Sequence, residues 1–380
     1  MTLSWGQARW LAYESGRPLG SEVVALAEAL GRILAEPVQA LVDLPGVDTV
    51  AMDGWAVCGP GPWSMVGASP AGAPRSSLGP GEAVEVATGS QCPAGATEVV
   101  RAEDGVLRGQ QLSGQQLSGR SRDGDVRLRG EQCQLGEVVL AAGTVLRPPG
   151  VGLAAAVGAD TVTVRRRPRV AAVILGDEIV ATGVPAAGQV RDALGPQLAG
   201  WVTALGGEFL GRAAAPDDLL STCTALDVAA EVVVVTGGTS AGRGDYLRAA
   251  LVACGARPIV DGVEVRPGRP MLLHRLPSGT LVLGLPGNPL AAIVALVTLL
   301  SPVLDGCLGR ALVNPPELPV GELGSPLAQR TTAVPCLRSN GTLTPVDHQG
   351  TAMLRGVAHA DGLLVTHPDG AAQWLAFPWS

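Results

Sequence analysis

The chain has 380 residues, of which 47% are hydrophobic and 16% charged, and this composition excludes a disordered chain because it supplies a sizeable core. Its 27 lysine-plus-arginine residues and 34 acidic residues give a net charge of −7, which argues against binding to nucleic acid or to an anionic membrane. All 27 of those basic residues are arginine, so mechanisms that need a Schiff-base lysine or a P-loop lysine are excluded.

The N-terminal segment lacks the basic region, apolar core and cleavage site of a secretory signal. The longest clean apolar stretch, residues 290–300, is shorter than the roughly 20 residues that a membrane span needs. The seven cysteines form no C-x-x-C pair and the four histidines have no metal-binding spacing, which predicts reduced thiols and no structural zinc. We therefore expect a cytoplasmic protein without a membrane partner.

The first 35 residues predict two short helices, the second over residues 23–34, where apolar residues recur at helical spacing. From residue 43 to about residue 143, short β-like runs such as 83–87 and 137–141 alternate with Gly and Pro. This pattern predicts a β-rich domain. Within it, residues 105–124 contain the tandem repeat QQLSGQQLSG, which predicts a low-complexity loop without chemistry.

After residue 167 the pattern changes to alternating strands and helices. Apolar runs without polar alternation predict strands that are buried on both faces of a parallel sheet, at residues 169–175, 231–236 and 280–285. Helical patterns lie between and after them, at residues 196–205, 217–229, 245–254 and 290–304. The alternation predicts a doubly wound α/β fold. Short strands return after residue 313, with turns at Asn340-Gly341 and at residues 368–370, and predict a small C-terminal β domain.

Ligands of open α/β sheets bind beyond the carboxyl ends of the strands, so the residues after each apolar run are candidate site residues. The first run leads into Asp177 and Glu178, and the third leads into GLPGNP at residues 284–289. The second leads into TGGTSAG at residues 236–242, where adjacent glycines and hydroxyl groups predict an anion site. The alternative interpretation of this segment is an ordinary strand-to-helix loop.

Acidic residues at the same strand ends, among them Glu178, Asp217 and Asp245, predict a Mg²⁺ site, because Mg²⁺ prefers oxygen ligands. The alternative for Asp217 and Asp245 is helix capping. Arg266 and Arg269 in the segment RPGRP could clamp phosphate oxygens.

Two further candidates fall in the β-rich part. The segments AMDGW (51–55) and ATG (87–89) place the acid Asp53 and the hydroxyl of Thr88 in turns. Each of the two is also interpretable as a plain turn residue.

Taken in order, these segments resemble the molybdopterin molybdenumtransferases, the family of the bacterial MoeA proteins and the gephyrin E domain. The resemblance covers nearly the whole chain and rests on EALGRILAEPV (28–38), DLPGVDTVAMDGWAV (43–57), ATGSQCPAGATEVVRAED (87–104), LAAGTVL (140–146), GDE (176–178), TGGTSAGRGDY (236–246), VRPGRP (265–270) and GLPGNPLAA (284–292). It implies a multi-domain fold that combines α/β and β parts. The expected parts are N-terminal helices and a linking region (1–42 and 136–166), a β-rich insertion domain (43–135), a doubly wound α/β molybdopterin-binding domain (167–308) and a small C-terminal β domain (309–380).

The resemblance further implies a Mg²⁺-dependent transferase of molybdenum cofactor biosynthesis. Such an enzyme inserts molybdate into adenylylated molybdopterin and releases AMP, as a homodimer, with a molybdopterin adenylyltransferase as a further partner. Matching by position assigns catalytic roles to Asp53, Thr88, Asp217 and Asp245, substrate binding to Glu178, Gly237, Gly238, Ser240, Arg266, Arg269, Pro286 and Pro289, and metal binding to Glu178, Asp217 and Asp245.

Four features depart from the family pattern, one of them Thr49-Val50 in place of Asn-Ser before AMDG. Gln132 stands where the family has an acid, Gly262 where it has a lysine, and Leu175 where it has a hydroxyl residue before GDE. Loss of one preorganised charged group typically lowers a rate by about 10²–10³-fold. An alternative interpretation is therefore a catalytically weakened paralogue that binds molybdopterin or its cofactor without turnover. A molybdopterin adenylyltransferase-like activity is a third interpretation, which the AMDG segment disfavours.

Overall fold

The structure is a computed structural model that describes residues 2–70, 72, 77–114, 124–239, 246–318 and 330–380. The chain divides into two compact units. We call Met1–Glu22 together with Arg165–Ser380 the α/β unit, and Val23–Val164 the β-rich unit. The four-part division expected from the sequence, with its boundaries near residues 42, 135, 166 and 308, stays a prediction.

The bounds of the regular elements follow in chain order. The described α-helices are α1 (Trp5–Ser15), α2 (Pro148–Ala156), α3 (Gly195–Ala204), α4 (Leu219–Leu226), α5 (Tyr246–Ala253), α6 (Pro289–Ala295) and α7 (Ser301–Leu308). The described strands up to residue 165 are β1 (Ser21–Ala25), β2 (Val38–Gln39), β3 (Thr49–Val50), β4 (Gly54–Val57), β5 (Trp63–Ser69), β6 (Glu82–Val86), β7 (Glu98–Arg101), β8 (Gly105–Arg108), β9 (Gln111–Gly114), β10 (Val126–Arg127), β11 (Val138–Leu140) and β12 (Thr161–Arg165). The described strands after residue 165 are β13 (Arg169–Leu175), β14 (Ile179–Val180), β15 (Val190–Arg191), β16 (Glu208–Ala215), β17 (Val232–Thr236), β18 (Arg257–Asp261), β19 (Leu272–Arg275), β20 (Leu281–Leu285), β21 (Thr332–Ser339), β22 (Thr342–Pro345), β23 (Gly362–Thr366) and β24 (Ala372–Ala376).

The β-rich unit is built around a sheet with the strand order β7-β4-β6-β5-β9-β8. Its two faces cover two separate apolar clusters, because successive side chains of a strand point to opposite faces. Along β6, Val84 and Val86 pack into one cluster, whereas Ala83 packs into the other with Trp63 and Leu112. The short runs that the sequence marked at residues 83–87 and 137–141 are strands β6 and β11.

Two expectations for this part of the chain are wrong. Residues 23–34 do not form a helix: they continue β1 and then make a single 3₁₀ turn over Leu26–Glu28. The adjacent β-branched residues Val23 and Val24 favour a strand, and pairing of β1 with β12 realises that preference. Residues 105–114 are not a loop, because β8 and β9 pair as an antiparallel hairpin and Leu112 is fully buried. Residues 115–123 of the repeat lie outside the described part of the chain.

The α/β unit contains a mixed sheet with the strand order β16-β13-β17-β20-β19-β18. Strands β16, β13, β17 and β20 are parallel, whereas β19 runs antiparallel to both β20 and β18. The three apolar runs are the neighbouring strands β13, β17 and β20, as predicted. Strand β16 and the β18–β19 hairpin were not predicted. Most positions of the edge strands β16 and β18 are not buried and dilute the apolar pattern, and β19 has only four residues.

Helices cover both faces of this sheet. On one face, Val170, Val232 and Leu283 pack with helices α1, α3, α6 and α7. On the other face, the alternate residues Val173, Val233 and Val282 pack with helices α4 and α5. This double layer explains why the central strands are apolar without alternation. The predicted doubly wound α/β part is thereby confirmed.

Helices α6 and α7 are joined by a π-helical turn, Leu296–Leu300, into one continuous helix, Pro289–Leu308. With 20 residues and a mean hydropathy of 2.1, it is the one described helix that is long and apolar enough to cross a membrane. The apolar segment is therefore longer than the stretch 290–300 that the sequence indicated. The helix nevertheless lies inside the unit, with 89% of its most apolar window buried, as a core helix does.

The C-terminal residues form an antiparallel sheet with the strand order β22-β21-β23-β24. Its β21–β22 turn contains Asn340 and Gly341, both with positive φ, at the predicted position. The β23–β24 turn includes Gly370, with a φ of +89°. The predicted small C-terminal β part and β-rich N-terminal part are confirmed.

Candidate functional site

The carboxyl ends of four parallel strands form one edge of the mixed sheet. In spatial order they lead into Asp217 after β16, Asp177 after β13, Gly237 after β17 and Pro286 after β20. Since neighbouring strands lie about 4.8 Å apart, this series spans roughly 14 Å. The loop between β18 and β19, with Arg266 and Arg269, emerges at the same edge because Leu272 pairs with Asp261 and with Gly284. The sheet thus brings most predicted residues of this unit to one edge.

Two carboxylates at this edge are tied to each other. The amide of Asp177 donates to Oδ2 of Asp217 at 3.3 Å, and the amide of Asp217 donates to Oδ1 of Asp177 at 3.2 Å. Burial raises the pKa of Asp217 above its usual value of 3.8, and the charges of Asp177 and Glu178 add to this rise against the lowering effect of the amide bond. Each carboxylate keeps one oxygen outside this exchange. The pair is a site of crowded negative charge.

The alternative interpretation of Asp217 as a helix cap is wrong. The N-cap of α4 is its neighbour Asp218, whose Oδ1 accepts from the amide of Ser221 at 2.8 Å. The side chain of Ser221, followed by this amide bond, lowers the pKa of Asp218, as expected for a carboxylate that caps a helix. Capping by Asp218 leaves the side chain of Asp217 directed to Asp177. The two consecutive acids therefore have different roles.

Glu178 is exposed beside this pair. Its main-chain carbonyl accepts from the amide of Val190 at 2.9 Å, which anchors the short β14–β15 segment. Its Oε2 lies 3.0 Å from where a Cβ of Gly176 would stand, so its side chain folds back over a glycine with a φ of +130°. A larger residue at position 176 would displace this carboxylate.

The glycine pair after β17 differs from the simple anion loop that the sequence predicted. Gly237 and Gly238 both have positive φ, at +82° and +67°. The amide of Gly237 donates to the carbonyl of Leu285 at 3.1 Å and is therefore not free for an anion. The amide of Gly238 makes no hydrogen bond to any described residue. Ser240 and Asp245 lie outside the described residues.

A cavity of about 660 Å³ lies at the same sheet edge and is rich in arginine. Arg266, Arg269 and Arg330 line it together with Pro286. Arg266 is held in place by its main chain, whose amide donates to Thr331 at 3.0 Å and whose carbonyl accepts from Ala333 at 2.9 Å. Pro289 does not line the cavity; it is an early residue of α6.

Arg330 is a candidate that the sequence analysis missed. It lies 61 residues after Arg269 in the chain, and no local motif surrounds it. Pairing of Arg266 with Thr332 is what carries it to the cavity. The only available signal was its place directly before a β-like run, which is too common to single out a residue.

In the β-rich unit, Asp53 and Thr88 form a second pair. Oδ1 of Asp53 accepts from the amide of Thr88 at 2.7 Å and from its hydroxyl at 3.0 Å. The amide bond, followed by the hydroxyl bond, lowers the pKa of Asp53 below 3.8, so the carboxylate stays charged at neutral pH. Gly54 follows with a φ of +152°, and a Cβ there would collide with the main chain at Val100 and Arg101. The glycine of AMDG is thus fixed by close backbone packing.

The departures from the family pattern occupy distinct environments. Leu175 is the buried last residue of β13 and packs in the core under α4 and α5. Gly262 is buried with a φ of +92°, and a Cβ there would lie 3.4 Å from the carbonyl oxygen of Arg269. Gln132 is exposed, and its amide donates to the carbonyl of Leu44 at 2.9 Å.

Oxygen ligands for a hard cation are available at Asp177, Glu178 and Asp217. Burial raises the pKa of Asp217, and the charges of Asp177 and Glu178, which a cation would offset, raise it further. These residues therefore fit Mg²⁺ in chemical type. Within the described ranges, no group of three or more His, Cys, Asp or Glu side chains is arranged to hold a metal ion. The predicted third acid, Asp245, lies outside those ranges.

The fold and this edge define a protein with a molybdopterin-binding type of α/β domain. Residues 171–306 match the family described as the probable molybdopterin binding domain, and residues 3–158 match the MoeA N-terminal region (domain I and II). A molybdopterin molybdenumtransferase of Nostoc sp. is 34% identical over 309 residues, 77% of this chain and 70% of that protein. The chain belongs to the molybdopterin molybdenumtransferase family, as the sequence resemblance predicted.

Other relatives span more of the chain. Molybdopterin molybdenumtransferase 2 of Mycobacterium tuberculosis is 31% identical over 371 residues, 90% of this chain and 89% of that protein. A crystal structure of a molybdopterin biosynthesis MoeA protein from Pyrococcus horikoshii superposes with a TM-score of 0.76 at 25% identity, covering 99% of this chain and 96% of that one. A second such structure from the same organism has a TM-score of 0.80 at 22% identity, covering 99% and 98%, and supports the fold alone.

Proposed function

We propose that this protein inserts molybdate into adenylylated molybdopterin during molybdenum cofactor biosynthesis and releases AMP. Its membership of the molybdopterin molybdenumtransferase family supports the reaction class. The observation that carries the proposal is the convergence of Arg266, Arg269 and Arg330 on one cavity at the sheet edge that also bears Asp177 and Asp217. A substrate with phosphate groups next to its reacting bond fits this arrangement, because the arginines would contact the phosphate groups and the acids would lie near the reacting bond.

The arginines of the cavity would bind the phosphate oxygens of the pterin nucleotide, because planar guanidinium groups bind phosphate in a bidentate manner. The amide of Gly238, which makes no hydrogen bond to a described residue, would add a neutral donor, and Ser240 follows two residues later in the sequence. Pro286 shapes the wall of the cavity and Pro289 opens the following helix. These groups would hold the substrate rather than react with it.

Asp217 would orient the water that attacks the pyrophosphate bond, because its oxygen outside the exchange with Asp177 accepts no hydrogen bond from a described residue. Glu178, directly after Asp177, and Asp245, after the segment TGGTSAG, are further acids that follow strands of the same sheet in the sequence. When bound, Mg²⁺ would neutralise charge on the phosphate oxygens, and Glu178, Asp217 and Asp245 would hold it. In the β-rich unit, Asp53 remains ionised and Thr88 holds it in one orientation.

We further infer a homodimer in the cytoplasm that receives its substrate from a molybdopterin adenylyltransferase. A reactive nucleotide intermediate favours transfer between two proteins that act in sequence. These inferences rest on the membership of the family. Analytical ultracentrifugation of the full chain, alone and with the adenylyltransferase, would test the dimer and the partner.

The decisive experiment is turnover of adenylylated molybdopterin with molybdate and Mg²⁺. We expect release of AMP that stops after chelation and resumes when Mg²⁺ is restored. Binding of the pterin nucleotide should survive chelation, because the cavity arginines are independent of the cation. Tight nucleotide binding with no AMP above background would contradict the proposal.

A second candidate function is binding of molybdopterin without turnover, and Gln132 favours it. An amide cannot supply the negative charge that a divalent cation prefers. Comparison of Q132D with the unchanged chain over a range of Mg²⁺ concentrations separates the two functions. Higher turnover or a lower Mg²⁺ requirement in Q132D, with equal nucleotide affinity, would identify a weakened site; identical curves would place residue 132 outside the reach of the cation.

A further inference from the structure

A second arginine-lined cavity, of about 610 Å³, lies at the opposite edge of the same sheet. It is lined by the residues at which the central strands begin: Arg169 of β13, Glu231 directly before β17, and Leu281 of β20. Strand β13 has seven residues, so the two sheet edges are separated by roughly 20 Å. This cavity is therefore distinct from the candidate functional site.

One of its arginines is already neutralised. Arg169 donates from Nε and Nη2 to the two carboxylate oxygens of Glu231, at 3.2 and 3.1 Å. Burial by itself would raise the pKa of Glu231, but the hydrogen bonds to Arg169 and its charge outweigh burial and lower this pKa below its usual value. Both groups are thus charged and satisfy each other. Asp227 also lines the cavity, and it forms no ion pair within the described part of the chain.

Two other arginines, Arg17 and Arg275, line the same cavity without a carboxylate partner among the described residues. The guanidinium of Arg275 donates to the carbonyls of Ser15, at 2.8 Å, and Gly279, at 3.3 Å. Burial lowers the pKa of Arg275, and the charge of Arg17 lowers it further. Arg17 is exposed and makes no hydrogen bond to any described residue. The two positive groups therefore face one cavity and repel each other.

The hydroxyl groups of the cavity are occupied. Ser278 donates to Oγ1 of Thr280 at 3.1 Å, and Thr280 donates to the carbonyl of Ala230 at 3.0 Å. A ligand here would therefore be held by the guanidinium groups, each of which has five N–H donors. Arg275 uses two of its donors on the carbonyls, and this anchoring fixes its orientation towards the cavity. An anchored guanidinium loses less freedom on binding than a mobile one.

We propose that this cavity binds a phosphate-class oxyanion, inorganic or carried by a small phosphomonoester, between Arg17 and Arg275. An oxyanion there accepts hydrogen bonds from both guanidinium groups and removes the repulsion between them. The volume lies in the range of small-molecule sites, about 300–1,000 Å³, so the phosphate can belong to a larger molecule. Asp227, which also lines the cavity and forms no ion pair within the described part of the chain, disfavours ligands with negative charge away from the phosphate.

The test separates this cavity from the one at the carboxyl edge. Binding of inorganic phosphate to the full chain is measured by calorimetry at fixed ionic strength, in the double variant R266Q/R269Q, which removes two arginines of the other cavity. We expect binding to persist in that background, and addition of R17Q to weaken it about tenfold or more, as loss of a charge-assisted bond does. R338Q, at an exposed arginine on β21, is the matched control and should leave phosphate affinity unchanged.

Arg17 is preferred for substitution because it makes no hydrogen bond or ion pair to a described residue, so R17Q should fold. R275Q loses two hydrogen bonds to carbonyls and serves as a second variant, whose folding is checked by its melting temperature. Binding of AMP, a phosphomonoester, and of succinate, a dicarboxylate, is measured in the same way as binding of inorganic phosphate. AMP binding tighter than inorganic phosphate would assign the site to a phosphomonoester. Phosphate affinity that R17Q leaves unchanged in the R266Q/R269Q background, or absence of phosphate binding there, would overturn the proposal.

Discussion

Asp177 and Asp217 each donate a main-chain amide to the carboxylate of the other, at 3.3 and 3.2 Å, across 40 residues of sequence. The exchange depends on the parallel pairing of β13 with β16, which sets Leu175 beside Ala215. Two acids that follow neighbouring strand ends are thereby held face to face. Asp218, the next residue, serves a different purpose as the N-cap of α4.

This division of roles predicts different results for D217N and D218N. Asn caps a helix about as well as Asp, so D218N should keep both the melting temperature and the activity. D217N should lower the rate of AMP release by about 10²-fold or more, as loss of a preorganised charged group does. Steady-state turnover and thermal melting of both variants provide the check. Equal activity of the two variants would remove Asp217 from the reaction.

D217N should not lower stability at neutral pH. The pKa of Asp217 is raised above its unfolded value of 3.8, so the native state holds a proton where the unfolded chain has lost it. Above the raised pKa, the charged carboxylate of Asp217 therefore lowers the free energy of unfolding. This loss disappears as pH falls through the raised pKa and the carboxylate is protonated. The melting temperature of D217N relative to that of the unchanged chain should be higher at pH 7 than at pH 4. A lower melting temperature of D217N at pH 7 would contradict this sign.

Asp53 has the opposite dependence. Because its pKa is lowered below 3.8, the stability that its bonds to Thr88 provide is present above pH 3.8 and is lost as pH falls through the lowered pKa. T88V removes the hydroxyl bond but keeps the amide bond, so the pKa of Asp53 should move back towards 3.8, whereas T88S should leave it in place. Carboxyl NMR titration measures each pKa. An unchanged pKa in T88V would mean that the amide alone holds the carboxylate.

Gly54, the glycine of the AMDG segment, provides the fourth prediction. G54A places a Cβ 2.9 Å from Cα of Arg101 at a φ of +152°, so strain and collision act together. We expect the free energy of unfolding to fall by about 3 kcal/mol. G59A is the matched control, since Gly59 also has positive φ but open space around it, and it should cost about 1 kcal/mol. Denaturant unfolding compares the two, and equal losses would show that the close contact at position 54 is relieved by movement of the main chain.

Arg330 provides the fifth prediction, because its role follows from the cavity alone. R330Q should weaken binding of adenylylated molybdopterin about tenfold and reduce the salt dependence of binding, because one charge-assisted bond to phosphate is lost. The exposed Arg338 of β21 lies outside the cavity, and R338Q should bind as the unchanged chain does. Fluorescence titration at two salt concentrations distinguishes the variants. Equal affinities of R330Q and R338Q would exclude Arg330 from the substrate site.

Much of the fold could be predicted from local pattern. The valines of β17 are buried on both faces of the sheet, so their uninterrupted run identified a central strand directly. Strand β16 escaped detection because only its last residue is buried, and the β8–β9 hairpin escaped because its repeat resembles a loop in composition. The helix expected at residues 23–34 failed because β1 pairs with a strand about 140 residues away, a contact that no local window contains.

The sequence by itself determined the family, the central strands and the chemical types at the sheet edge: acids after β13 and β16, glycines after β17, and arginine wherever a cation is needed. These features are local, since each depends on residue type and on spacing within one segment. Only the tertiary structure decided that Asp218 caps α4 while Asp217 faces Asp177, that the amide of Gly237 is occupied, and that Arg330 joins Arg266 at one cavity. Those relations join segments that are distant in the chain, and their distances are fixed by strand order and register, which side-chain patterns along one segment do not encode.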